Sequence, residues 1–312
     1  VFILAEYACE EKDMPEIAIV TDTGCDLPDE TLQQYGIDAV PMVVRFGQEE
    51  YFENQLSGDE FWSKATQVPP YPQTSQVPVG LFEEAFSKHV EQGQHVLCLA
   101  ITSKHSGTYN SACSAAKAFP GQVTVVDTLQ FSLVQGYMAI RAAQAAAEGW
   151  SLERIIALVD SIRARTQFVF AMDTVEYLRR GGRADQVMPL LDRLVRMLNI
   201  KPLLNVVEGQ ITPIGAARSR ERAMERITRE LAKYAPGEML FVLHTRLHDQ
   251  VHDFAEAVAQ RLDFPLERAM VAELGLVLSC HAGPRVIGAA MVQQEAQPRS
   301  VPLADPADIS AC

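Results

Sequence analysis

Two runs of hydroxyl residues are the first candidates for chemistry in this chain. One is Pro72-Gln73-Thr74-Ser75-Gln76, and the other is Thr102-Ser103-Lys104-His105-Ser106-Gly107-Thr108-Tyr109. Each stands just before a helical pattern. A helix N-terminus carries unpaired N–H groups and a partial positive charge, so hydroxyls placed there complete a site for a carboxylate or a phosphate. The commonest duty of Thr and Ser in such loops is helix capping, and Thr74 and Ser106 are open to both readings. His281 lies between Cys280 and Ala282 and is followed by Gly283-Pro284, which predicts a turn at a strand end. A lone histidine in an apolar stretch is usually a hydrogen-bonded core residue. At a turn its imidazole can also donate to a carboxylate or, when protonated, pair with one.

Other constellations are weaker. Ser106, Asp127 and His281 together suggest a serine hydrolase acting on an ester, but residues 104–108 read Lys-His-Ser-Gly-Thr and lack the G-x-S-x-G elbow. His244, His248 and His252 recur every four residues, a spacing that suits a metal on one helix. His244 closes an apolar strand, however, so His248 and His252 read as a solvated face and no metal site is expected. Gly181-Gly182-Arg183 reads as a helix stop followed by a base. It matches neither G-x-G-x-x-G nor a phosphate loop with its lysine, so no nucleotide cofactor is expected. Arg218, Arg220 and Arg222 open a helix, either as a solvated basic face or as a docking surface for an acidic or phosphate-bearing partner.

The bulk composition limits the partners. The chain has 312 residues, is 48% apolar and carries a formal charge of −13. A sizeable core is affordable, and the acidity argues against nucleic acid and against anionic lipid surfaces. The six cysteines form no C-x-x-C pair, which points to a reducing cytoplasm. The run from Gly275 to Val292 is interrupted by His281, Pro284 and Arg285, so it reads as buried strand and loop with no integral membrane segment.

The elements that position these residues follow from hydrophobic periodicity. Strands are expected at 17–22, 37–46, 96–101 and 123–127. Helices are expected at 29–35, 59–67, 79–91, 109–118 and 133–148. This alternation predicts a three-layer α/β/α N-terminal domain with a parallel sheet. Open sheets of this kind bind ligands at the carboxyl ends of their strands, where Asp22, Ser103, Ser106 and Asp127 fall. The second half predicts a C-terminal α/β domain with a mixed sheet. Its expected elements are a strand at 167–171, helices at 174–179 and 185–198, an antiparallel hairpin turning at Glu208-Gly209 and a charged helix at 219–232. The expected division is an N-terminal extension at 1–14, domains at 15–163 and 164–292, and a tail at 293–312.

Six segments in order resemble the DegV family, over about residues 15–292. Thr21-Asp22-Thr23-Gly24-Cys25-Asp26-Leu27 is similar to T-D-S-T-x-x-L. Residues 72–76 resemble P-T-T-S-Q, with Gln73 for the first Thr, and 102–109 resemble S-S-x-L-S-G-T-Y, with His105 for Leu. Leu178 to Arg183 resembles L-x-x-G-G-R, and Lys201-Pro202 and Glu208-Gly209 fit the segments that follow. The resemblance implies two α/β domains with a long-chain fatty acid held between them. It also implies a bacterial lipid-binding subunit that is not itself an enzyme and that presents the carboxylate to an ATP-dependent fatty acid kinase subunit, which makes the acyl phosphate. By position, Thr74, Ser106 and His281 would bind the carboxylate, and Arg218 would engage the kinase. Where the family has G-P-G, this chain has Gly283-Pro284-Arg285, which sets a cation near His281. Arg285 either alters the headgroup contacts or points to solvent.

Overall fold

A computed structural model describes residues 16–66, 69–182, 188–189 and 200–295. The expected extension, most of the tail and all but two residues of the helix expected at 185–198 lie outside the described residues, as does Arg183.

The first sheet is parallel throughout, in the order β2-β1-β6-β7, from Ile37–Val40, Ile17–Asp22, His95–Ala100 and Val123–Asp127. Period-two alternation decides which side chain faces which layer. Ile19, Leu97 and Leu99 point to one face, where α5 (Ser132–Ala147) supplies Leu133, Val134 and Met138. Val20, Val96 and Cys98 point to the other, against Phe82 and Phe86 of α3 (Val79–Val90) and Ala112 and Ala115 of α4 (Thr108–Ala116). Helix α1 (Asp29–Tyr35) stops at Gly36, whose φ of 61° is the left-handed cap that glycine adopts without strain.

The strand expected over 37–46 is two strands. Pro41 has no N–H to give to a ladder, and the Met42 amide donates to Thr23 Oγ1 at 3.0 Å instead. Beyond this break the chain leaves the parallel sheet as β3 (Val43–Phe46). It pairs with β4 (Glu49–Phe52) and β5 (Pro72–Ser75) in a small antiparallel sheet, order β4-β3-β5. Helix α2 (Gly58–Ala65) lies between β4 and β5 in sequence and is capped by Ser57, whose Oγ accepts the Glu60 amide.

The second half builds a mixed sheet in the order β10-β9-β8-β13-β11-β12. Its strands are β8 (Thr166–Ala171), β9 (Lys201–Val207), β10 (Gln210–Ala217), β11 (Gly237–His244), β12 (Met270–Glu273) and β13 (Ile287–Gln293). Only the β11–β12 pairing in this sheet is parallel. The expected hairpin is present, with Glu208 and Gly209 both at positive φ, as a tight two-residue turn requires. One face of the sheet packs on α8 (Arg220–Leu231) and α9 (His248–Leu262) through Val169, Leu240 and Val242. The other face turns Phe168, Phe170, Leu204 and Phe241 towards α5 and α6 (Leu152–Ala164), in one core continuous with the parallel sheet. The architecture is therefore α/β, with a parallel sheet and a mixed sheet separated by shared helices.

A second correction concerns residues 275–292. The stretch expected to be strand and loop contains α10 (Leu276–Ala282) before β13. His281 sits on the last turn of that helix and not at a strand end. Among the described residues, no helix is long and apolar enough to cross a membrane.

Candidate functional site

The parallel sheet and the mixed sheet enclose a slot. Its apolar wall comes from Met42, Ile101 and Phe131 on one side. Phe168, Phe170 and Met172 line the other side, with Ile211, Leu243, Leu274, Val277, Leu278 and Val286. The slot holds about 900 Å³ of unfilled space, its open mouth included. Polar side chains collect at one end: Thr74, Ser75, Gln76, Thr102, His105, Ser106 and His281. Three of these were the candidates from sequence, and the fold brings them to one place.

Thr74 lies in β5 opposite Val44, so the small sheet carries it there. It is not a cap of α3, whose N-cap is Pro78, and the helix-terminus reading of its loop is corrected accordingly. Thr74 Oγ1 and His281 Nε2 are 2.7 Å apart, a hydrogen bond whose donor depends on the histidine tautomer. Ser106 stands one residue before Gly107, the N-cap of α4. Its Oγ donates to Thr108 Oγ1 at 3.0 Å and accepts the Thr108 amide at 3.2 Å. The hydroxyl and the imidazole both remain half-buried, facing the slot.

Several supporting residues escaped sequence reasoning. Gly181, the last residue of α7 (Glu176–Gly181), lies against the His281 ring, and a Cβ there would press on Nδ1 and stand 2.9 Å from Cε1. Gly107 likewise leaves room for the Gln76 amide, which a Cβ would strike. His105 Nε2 accepts the Ile211 amide at 3.1 Å, and Thr102 Oγ1 donates to the Gly209 carbonyl at 3.2 Å. The hydroxyl loop of the first half is thereby pinned to the hairpin of the second. Glycine positions carry a sequence signal of sorts, since Gly107 and Gly181 both sit beside the runs singled out above. The partners across the slot carry none.

The acids at the strand ends have other work. Asp22 is fully buried and accepts the amides of Gly24 and Ile101 at 3.0 and 2.8 Å. Burial pushes its carboxyl up to about 6 against those hydrogen bonds. Asp127 accepts the amides of Ser103 and Leu129, so the third member of the hydrolase constellation is spent on backbone. Outside the mouth, Gln76, His105 and Ser106 also border a polar hollow with Ser103, Lys104, Gly107, Asn110 and Gly182.

Arg285 is exposed and does not line the slot, as the second expectation had it, and it is also paired. Its Nε donates to Asp173 Oδ2 at 3.0 Å. Asp173 also pairs with Lys201 at 3.2 Å and Arg220 at 2.6 Å, gathering three cations about one carboxylate. Arg285 has a φ of 65°, a left-handed backbone that suits the glycine found there in the resembling pattern. Arg218 is exposed between β10 and α8 and does not line the slot. His244 ends β11, while His248 and His252 are exposed on α9, and no cluster of metal-binding side chains occurs among the described residues.

Comparison with known proteins follows the same lines. A family model described as "Uncharacterised protein, DegV family" matches residues 16–294. A DegV domain-containing protein of Deinococcus radiodurans is 33% identical over 279 residues, which is 88% of this chain and 98% of the relative. A solved structure described as fatty acid binding of a DegV family protein from Thermus thermophilus superimposes with a TM-score of 0.83 at 34% identity. The match covers 89% of this chain and 100% of that one. A stearic acid-binding protein from Eubacterium ventriosum is similar at 27% identity and a TM-score of 0.80, over 90% of this chain and 98% of its own.

Proposed function

The chain belongs to the DegV family, and from that premise we propose that it binds a long-chain fatty acid in the slot between its sheets. The carboxylate lies at Thr74, Ser106 and His281, and the alkyl chain runs inward past Phe168 and Phe170. The observation that carries this reading is the division of the slot into a long apolar wall and a single polar end. Ligand sites are commonly apolar cavities with a few polar groups that fix orientation, and the lining of this slot has that composition. Each buried methylene contributes about 0.8 kcal/mol, so the chain supplies affinity and the headgroup supplies direction. A carboxylate withdrawn from water needs hydrogen-bond donors, and two hydroxyls and an imidazole supply them.

The protein then acts as a binding subunit and not as an enzyme. It presents the carboxylate to a separate ATP-dependent kinase subunit that forms the acyl phosphate. The polar hollow that shares Gln76, His105 and Ser106 with the slot supports this arrangement, because it offers a polar-lined approach to the headgroup. Arg218 is exposed and clear of the slot, as a residue that engages the kinase must be. We place the protein in the cytoplasm, where ATP is supplied, and we set the boundary between domains 15–163 and 164–292 at the end of α6.

Titration with palmitate and with its methyl ester tests the headgroup assignment. The acid is expected to bind at least ten-fold more tightly than the ester, which cannot present a carboxylate. Equal affinities would show that the polar end does not read the acid.

A further inference from the structure

The acidic residues near the first strand end have a role that the headgroup site does not absorb. Asp26 follows the short helical turn Thr23–Cys25 after β1, and Glu53 follows β4, so both belong to the N-terminal half. Each reaches across to the start of α10 in the C-terminal half. Asp26 Oδ1 accepts the Gly275 amide at 3.1 Å, and Glu53 Oε1 accepts the Val277 amide at 3.0 Å. Ser132 supports the first contact by donating to Asp26 Oδ2 at 2.5 Å. Both carboxylates crowd Gly275. A Cβ there would stand 2.5 Å from Asp26 Oδ1 and 2.6 Å from Glu53 Oε1, so only glycine admits the pair. The same short helix carries His281 on its last turn, about 9 Å along the axis at 1.5 Å per residue.

We propose that Asp26 and Glu53 are positioning residues that clamp the first turn of α10 to the N-terminal half and so hold His281 against Thr74. Two amides at a helix start are unpaired donors that carboxylates satisfy well, and a two-turn helix transmits its orientation directly to its far end. Burial raises both carboxyls above their usual range, and the charge of Glu53 raises Asp26 further. Two acids so placed are unfavourable unless their oxygens are engaged. The Gly275 amide and Ser132 engage both oxygens of Asp26, and the Val277 amide engages Oε1 of Glu53. The role rests on the fatty-acid reading for its consequence, but the clamp itself is a statement about His281.

The test uses Asp26→Ala, Glu53→Ala and the conservative Asp26→Asn, whose side-chain oxygen still accepts from Gly275. Two quantities are read at a temperature where each variant is folded. One is the palmitate Kd. The other is the imidazole signal of His281 in ligand-free, histidine-labelled protein, assigned by its loss in His281→Gln. The alanine variants are expected to raise Kd at least ten-fold and to shift the ring signal, while Asp26→Asn stays within about two-fold of the parent. An unchanged ring signal and Kd in both alanine variants overturns the clamp, as does an Asp26→Asn variant as weak as Asp26→Ala. Should the alanine variants fail to fold, Gly275→Ala drives a methyl against both carboxylates. The same ring shift is then expected, and a parental ring signal overturns the clamp. If palmitate does not bind the parent protein, the proposed function fails, while the ligand-free ring signal still decides the clamp.

Discussion

Replacing Gly181 by alanine separates the headgroup site from the stability of the fold. Gly181 is the last residue of α7 and is followed by Gly182, whose φ of 63° ends the helix. Gly181 itself is helical, so an alanine there is tolerated by the backbone and favours the helix by roughly 0.5–1 kcal/mol. The new methyl would meet the His281 imidazole, pressing on Nδ1 and standing 2.9 Å from Cε1, closer than any ordinary carbon contact. The ring has to turn away, which breaks the 2.7 Å contact with Thr74 and withdraws one donor from the carboxylate. A hydrogen bond to a charged group contributes about 1.5–3 kcal/mol. At 1.4 kcal/mol per decade, palmitate affinity should fall roughly 10- to 150-fold. Calorimetric titration reads the affinity, and a thermal melt of the ligand-free protein reads the fold. The expected result is a weakened Kd with a melting temperature equal to or above that of the parent. A parental Kd in a well-folded variant would refute the placement of His281 at the headgroup. A large loss of melting temperature would refute the claim that Gly181 serves the ring and not the fold.

Thr74→Val keeps the shape of β5 and removes the hydroxyl, so palmitate should bind roughly ten-fold more weakly, in line with one lost hydrogen bond. Unchanged binding would remove Thr74 from the site. Ser106→Ala is expected to weaken palmitate binding with little change in a urea melt, and an unaltered titration would count against its carboxylate role. Arg218→Ala should spare palmitate binding and slow acyl phosphate formation with the cognate kinase, and normal turnover would remove it from the docking surface. Asp22 gives a pH signature. Its carboxyl is raised from 3.8 to about 6, so the folded state holds that proton more firmly than the unfolded chain. Its contribution is full below about pH 4 and is lost as pH rises through about 6, a change of about 3 kcal/mol at 1.36 kcal/mol per unit. Asp22→Asn has no such slope. In urea melts it should therefore gain on the parent protein between pH 4 and pH 7, and a constant difference would show that Asp22 is not perturbed.

The parallel sheet was legible because its strands are short apolar runs ended by polar turns. Ile17–Asp22 and Val123–Asp127 are found where periodicity puts them. The small antiparallel sheet was not, for three local reasons. Pro41 interrupts what reads as one strand, Glu49–Phe52 is half acidic, and Pro72–Ser75 has little of the β-branched content that marks a strand. Helix α10 was hidden because Leu276–Ala282 is too short and too uniformly apolar for its period to be read. The site was legible as residue types and not as contacts. Thr74 and Ser106 stand out as members of hydroxyl-rich runs, although Thr74 lies in a strand, and their place beside His281 depends on a slot between two sheets. The Asp26 contact to Gly275 spans 249 positions, a separation at which no local pattern carries information.

The central claim is that the slot holds a long-chain fatty acid, and extraction reads it most directly. The protein would be purified, denatured and extracted with organic solvent, and the extract compared by mass spectrometry with a mock preparation. The account predicts about one fatty acid per chain, present as isolated or after incubation with a fatty acid mixture, with chain length and unsaturation given by the mass. An empty extract after that incubation would contradict it.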